Sequence, residues 1–194
     1  MDWQTPHFQT VYDAAQEFMS QEGLPAWLVY DYRDSNPIFR QVIQPSGHVT
    51  RPCYFFLPAQ GSPRLLVHHV DAGKFTESNV ECLVYSNRDT MVSALRELAG
   101  GTGRLAMEYS PLNELPRVSR VDAGTVDLVR SLGAEVVSSA DLMQAATHRW
   151  TPEQYADHHA TAFKLGRIVN EAFAHAGERL GRGVTEFDLS LIHI

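Results

Sequence analysis

Ala26-Trp27-Leu28-Val29-Tyr30, running into Asp31-Tyr32-Arg33-Asp34-Ser35-Asn36-Pro37, is the stretch on which the reading of this chain turns. The run Ala26–Tyr30 is apolar and aromatic throughout, short, and bounded by turn residues, which reads as a buried strand. The polar segment after it mixes a cation, an anion and an amide, and ends at a proline. On the amino-terminal side, Phe8, Val11, Tyr12, Ala15, Phe18 and Met19 recur at intervals of three and four and share one helical face. Gly23 and Pro25 then end that helix. On the other side, Cys53–Leu57 and Arg64–Val70 are strand-like runs. Pro58-Ala59-Gln60-Gly61-Ser62-Pro63 between them is rich in turn residues, which predicts an antiparallel hairpin.

Further along, Cys82-Leu83-Val84-Tyr85 precedes a helix with Met91, Ala94, Leu95 and Leu98 on one face. Past Gly100-Gly101-Thr102-Gly103 come a strand at Arg104–Glu108, a helix near Asp122–Leu132 and a strand at Glu135–Ser138. Alternation of this kind implies an α/β domain, and the hairpin makes its sheet a mixed one flanked by helices. At Thr151-Pro152-Glu153-Gln154 the character changes. Thr151 can cap a helix, Pro152 suits its first position and Gln154 closes a capping box. Ala156, Ala160, Phe163, Val169, Phe173, Ala176 and Leu180 continue at helical spacing. A helix from Pro152 to about Leu180 would be on the order of 40 Å long, so residues 1–149 form one domain and residues 150–194 open a second.

Composition bounds the function. The 194 residues are 44% hydrophobic and 20% charged, which excludes disordered and low-complexity classes. A formal charge of −7, with no basic stripe, argues against nucleic-acid binding. Met1-Asp2-Trp3-Gln4 does not begin a secretory signal, and no apolar run approaches the ~20 residues that span a bilayer. Two cysteines, Cys53 and Cys82, are too few for a disulfide scaffold and read as buried thiols. The expectation is a soluble cytoplasmic protein.

Chemistry is sparse. His68 and His69 adjoin in an expected strand, where neighbours point to opposite faces and cannot share an ion. His158 and His159 adjoin on a helix with no HExxH pattern, and Glu153 with Asp157 fits a solvated helical face. Gly100-Gly101-Thr102-Gly103 follows a helix and precedes a strand, the reverse of a dinucleotide-binding order, and fits a helix end. No GxSxG elbow or P-loop is present, and neither cysteine has neighbours that would lower its thiol pKa. Arg33-Asp34-Ser35-Asn36 remains. It reads either as a binding loop at a strand end or, better suited to its composition, as a turn in which Asp34 or Asn36 satisfies local amides.

Trp27–Pro37 resembles the first strand and loop of the creatinase/prolidase amino-terminal domain, a ribonuclease H-like fold. Met107-Glu108-Tyr109-Ser110-Pro111 and Gly133–Leu142 are similar to its final strands. Arg149-Trp150-Thr151-Pro152-Glu153-Gln154 resembles the linker and first helix of the pita-bread metallopeptidase domain, and Gly183-Val184-Thr185-Glu186 matches the Gly-x-Thr-Glu that follows that helix. The resemblance implies a Xaa-Pro peptidase, an aminopeptidase or dipeptidase cleaving the bond before proline. It further implies two divalent metals of the Mn, Co or Zn type, a homodimer, and peptides with proline second as substrates. The family's ligands, two Asp, one His and two Glu, lie downstream in the pita-bread domain, so no catalytic or metal residue is expected in this chain. The amino-terminal domain would serve dimerisation and screening of the active-site mouth, with Arg33, Asp34, Ser35 and Asn36 as the candidate loop. A non-catalytic binding module on the same scaffold is the alternative, and a metal-free creatinase a third. Ser190-Leu191-Ile192-His193-Ile194 departs from the pattern, so residues from about 189 are expected to be non-native and the pita-bread domain truncated.

Overall fold

The computed structural model describes residues 6–179, 181, 183 and 185–190. The expectations for Met1–Gln4, Leu180, Val184 and Leu191–Ile194 lie outside the described residues. The chain divides into two compact units, Met1–Arg149 and Trp150–Ile194.

In the first unit α1 (Pro6–Glu22) leads into β1 (Ala26–Asp31), followed by α2 (Phe39–Val42) and the hairpin of β2 (Cys53–Pro58) and β3 (Arg64–His68). Then come β4 (Glu81–Tyr85), α3 (Arg88–Ala99), β5 (Arg104–Met107), α4 (Ala123–Ser131), β6 (Glu135–Ser138) and α5 (Ala140–Thr147). The strands form one sheet in the order β4-β3-β2-β1-β5-β6. β2 runs antiparallel to both its neighbours, and the other adjacent pairs are parallel. The sheet is therefore mixed, as the hairpin requires.

Helices cover both faces, which is why β1 carries no polar alternation. Trp27 and Val29 face a core with α1, α2 and α5, where Val11, Met19, Phe39 and Leu142 are buried. Leu28 and Tyr30 face the opposite core, built with Leu95 and Leu98 of α3 and Val126 and Val129 of α4. Opposite-face pointing is a property of a strand, and β3 ends at His68. His69 lies in the turn beyond, where its amide donates to the Tyr85 carbonyl, and the two imidazole centroids come within 4.2 Å. The expected separation of His68 from His69 therefore fails. Gly100 ends α3, and a side chain there would place Cβ 2.4 Å from the Arg96 carbonyl oxygen. That contact demands glycine. Cys53 is buried as expected, whereas Cys82 on the edge strand β4 is only half-buried.

Asp71, fully buried after β3, ties this turn to the segment entering β2. Its carboxylate accepts from the amides of Thr50 and Arg51, each at 2.9 Å, from the Thr50 hydroxyl and from Lys74 Nζ at 2.6 Å. Burial alone would raise its pKa, but the Lys74 ammonium and these donors outweigh that and hold it below the ordinary carboxylate value.

In the second unit, α6 (Pro152–Glu178) begins with the expected capping box. Thr151 Oγ1 accepts from the Gln154 amide, and Gln154 Oε1 accepts from the Thr151 amide. No residue of α6 is buried. α7 (Glu186–Ser190) follows it.

Asp71→Asn should lower stability at neutral pH by about 1–3 kcal/mol. A carboxyl with a depressed pKa stabilises the fold above its unfolded value and loses that effect on acidification. The difference from wild type in urea unfolding should thus shrink below about pH 4. Limited proteolysis should leave a protected fragment ending near Arg149; preferred cleavage within β6 would contradict a self-standing first unit.

Candidate functional site

The polar loop after β1 is organised by a residue outside the expected four. Asp31, buried at the strand end, accepts from the Asp34 amide at 3.0 Å and the Asn36 amide at 2.9 Å. This folds the loop back, with Arg33 and Asp34 both left-handed at φ 60° and 58°. Such values strain a non-glycine backbone, although Asp tolerates them better than most residues.

The candidate residues then separate. Arg33 and Ser35 are exposed, and the Arg33 guanidinium lies 6.0 Å from the Tyr32 ring centroid. Asp34 turns toward the chain entering β2, bonding Arg40 Nη2 at 3.0 Å, the Val49 amide at 3.4 Å and His48 Nδ1. Burial would raise the Asp34 pKa, but His48, the Val49 amide and Arg40 together hold it low. Asn36 is buried and fully engaged. Its Nδ2 donates to the Tyr30 carbonyl at 2.8 Å and to Glu108 Oε2 at 2.9 Å, while its Oδ1 accepts from the Ile38 amide at 3.0 Å. Asn36 thus satisfies a local amide as the turn reading expected. Asp34 does so only at longer range, and the principal turn acceptor is Asp31.

Glu108, the residue following β5, completes the cluster with no exposed surface. Its Oε1 accepts from Trp27 Nε1 at 2.8 Å and from Ser139 Oγ at 3.0 Å. One carboxylate thereby joins β1, the polar loop, the end of β5 and the start of α5. Burial pushes its pKa up to about 7 against the opposing pull of the Trp27, Ser139 and Asn36 donors. Burial likewise raises Asp31, against its two amide bonds. Sequence reading missed Asp31, Glu108 and Ser139; the available signal was an acidic residue closing each of two apolar strands, at Asp31 and Glu108.

The cluster lies at the carboxyl ends of neighbouring parallel strands, where open α/β sheets hold ligands. Here every buried side-chain polar atom has a hydrogen-bond partner among the described residues. A cavity of about 430 Å³ lies elsewhere, beside Tyr12, Ile43 and Pro45, with Arg40 and Lys74 on its lining. Those two cations are paired with Asp34 and Asp71. Among the described residues, no group of three or more His, Cys, Asp or Glu is placed to hold a metal ion. The described residues therefore do not fit the divalent-metal centre that the family resemblance implies.

Asn36→Ala should destabilise the first unit by about 2–4 kcal/mol, because it strands the Glu108 oxygen and the Ile38 amide. Asn36→Asp should cost more at pH 8 than at pH 5.5. It sets a third carboxyl beside two already raised, and groups with raised pKa lose stability as pH rises. Urea midpoints at the two pH values measure this.

No family model and no curated protein matches the chain. Solved structures do. Prolidase from Thermococcus sibiricus aligns with a TM-score of 0.59 and 14% identity over 97% of this chain and 48% of its own. Dipeptidase PepE from Mycobacterium ulcerans aligns with a TM-score of 0.58 and 19% identity over 99% of this chain and 49% of its own. The creatinase/prolidase N-terminal domain of an X-Pro dipeptidase from Streptococcus pyogenes aligns with a TM-score of 0.53 and 10% identity, over 69% of this chain and 95% of that one. The chain therefore spans about half the length of the prolidase and dipeptidase, and nearly all of the isolated domain. At these identities the likeness defines a fold: a mixed six-stranded sheet flanked by helices, of the creatinase/prolidase amino-terminal type, followed by a long helix.

Proposed function

We propose that this chain is the amino-terminal portion of a metal-dependent Xaa-Pro peptidase, an aminopeptidase or dipeptidase that hydrolyses the bond before proline. The observation that carries this reading is the reach of the likeness to prolidase and dipeptidase structures. It covers 97% and 99% of the chain, and so takes in α6 as well as the sheet. In this reading two divalent metals of the Mn, Co or Zn type are held by a downstream portion. The present chain contributes dimerisation and screening of the active-site mouth. Arg33 and Ser35 supply the contact surface of the screening loop, and the buried Asn36 and half-buried Asp34 fix its shape. The working form is a homodimer acting in the cytoplasm on peptides with proline second. Among the described residues no helix is long and apolar enough to cross a membrane.

The exposed stripe on α6 supports a downstream portion that covers it. Phe163 is 70% exposed and Phe173 75%, with Val169 on the same stripe. A large apolar side chain gains about 1.5–3 kcal/mol on full burial, so a partner layer for this helix stabilises it substantially.

The test compares the 194-residue chain with a form extended by the natural downstream sequence. The extended form should take up Mn²⁺, cleave Xaa-Pro peptides and slow amide exchange across residues 163–173. The 194-residue chain should do none of these. Metal uptake with cleavage by the shorter chain would overturn the division of labour. An extended form without metal binding or cleavage would favour the non-catalytic module.

A further inference from the structure

β4 is an end strand. β3 pairs with one side of it, and no strand among the described residues pairs with the other. The N–H and C=O of one strand residue point the same way, and the direction alternates along the strand. The Tyr85 carbonyl accepts from the His69 amide, on the β3 side. Tyr85, Leu83 and Glu81 therefore turn their backbone groups inward, while Cys82 and Val84 turn theirs outward. The strand Glu81-Cys82-Leu83-Val84-Tyr85 holds no lysine or proline of the kind that shields an edge.

Side chains along this edge are apolar on both faces. Cys82 packs against the α1-side core and Leu83 against the α3-side core, each only partly buried. Val84, on the face of Cys82, is 56% exposed. Glu81 at the start of β4 is exposed, and among the described residues it has no ion-pair partner. At the opposite end His68 stands in register with Tyr85, with His69 next to it. The edge is thus acidic at one end and imidazole-bearing at the other, with apolar residues between.

We propose that β4 is the pairing edge of a homodimer: the β4 strands of two copies run antiparallel about a two-fold axis at Leu83 and join two sheets into one. A two-fold pair uses the same surface on both copies and closes on itself. In this register Cys82 of each copy lies opposite Val84 of the other, and their outward N–H and C=O groups satisfy one another. Leu83 meets Leu83 as a non-hydrogen-bonded pair. A slip of one residue would set outward groups against inward ones. Cys82 and Val84 cover each other on one face, and the two leucines do so on the other. Opposed directions carry each Glu81 to the partner's histidine end, whereas a parallel pair would set Glu81 beside Glu81. The pairing deepens the dimerising role proposed above and rests on that role alone.

The test uses the 194-residue chain carrying Phe163→Glu and Phe173→Glu, which removes the exposed α6 stripe as a second route to association. Sedimentation velocity at micromolar concentration should show a dimer. Val84→Lys places a charge on an already exposed edge position and should return a monomer with an unchanged far-ultraviolet spectrum. Crosslinking decides independently of how that variant folds. With Cys82→Ser, Leu83→Cys should form a disulfide-linked dimer on mild oxidation. Val84→Cys in the same background should not, because its Cα atoms lie beyond the ~7 Å a disulfide can bridge. A dimer that survives Val84→Lys, or that leaves Leu83→Cys unlinked, would overturn the β4 edge while leaving dimerisation through another face. A monomer would overturn both the edge and the dimerising role, and slow amide exchange at Cys82 and Val84 in that monomer would mark a segment of the same chain as the occupant. Neither result touches the peptidase reading, which the extended chain tests.

Discussion

A buried carboxylate must be satisfied from within the protein, and Glu108 meets that demand by drawing three separate chain segments to one point. An uncompensated ion in such a position costs several kcal/mol, so Trp27, Asn36 and Ser139 are constrained together rather than singly. Their convergence fixes more than local geometry. Trp27 anchors β1 against the α1 face, Asn36 shapes the loop, and Ser139 starts α5 immediately beyond β6. The sheet's central hydrogen bonds would tolerate many arrangements of these connections. The carboxylate selects among them.

This arrangement gives the carboxyl ends of β1, β5 and β6 an unusual character for an α/β sheet. The crevice that commonly receives a ligand is filled by the protein's own polar groups, each paired.

How much of this was legible in the sequence depended on whether a signal was local. The capping box at Thr151 and Gln154 is a contract between residues three apart, and it appears as read. The hairpin from Cys53 to the end of β3 was announced by the Pro58–Pro63 turn, and the apolar run at Ala26–Tyr30 declared a strand covered on both sides. Asp31 and Glu108 escaped because their meaning is long-range. The bond between Trp27 and Glu108 joins residues 81 positions apart, and that between Asn36 and Glu108 joins residues 72 apart. Polar residues at strand ends look like ordinary solvated termini until the topology closes over them. His68 and His69 failed differently: the alternation rule is sound, but the strand stopped at His68, two residues sooner than the pattern did. The short helices α2 and α5 were missed too, since four and eight residues give little periodicity to detect.

The absence of any buried residue along α6 bears on how the molecule melts. A helix with no buried residue is held chiefly by its cap, its backbone bonds and pairs such as Arg167 with Glu171 at 3.3 Å. Such a helix frays from its ends over a wide temperature span, whereas a domain with a two-faced core loses its packing in one cooperative step. Far-ultraviolet dichroism, which sums all helices, would therefore decline gradually before the aromatic near-ultraviolet signal of Trp27, Tyr54 and Phe55 collapses. For this chain, two optical probes would return two different melting curves, and a single midpoint would describe only the sheet.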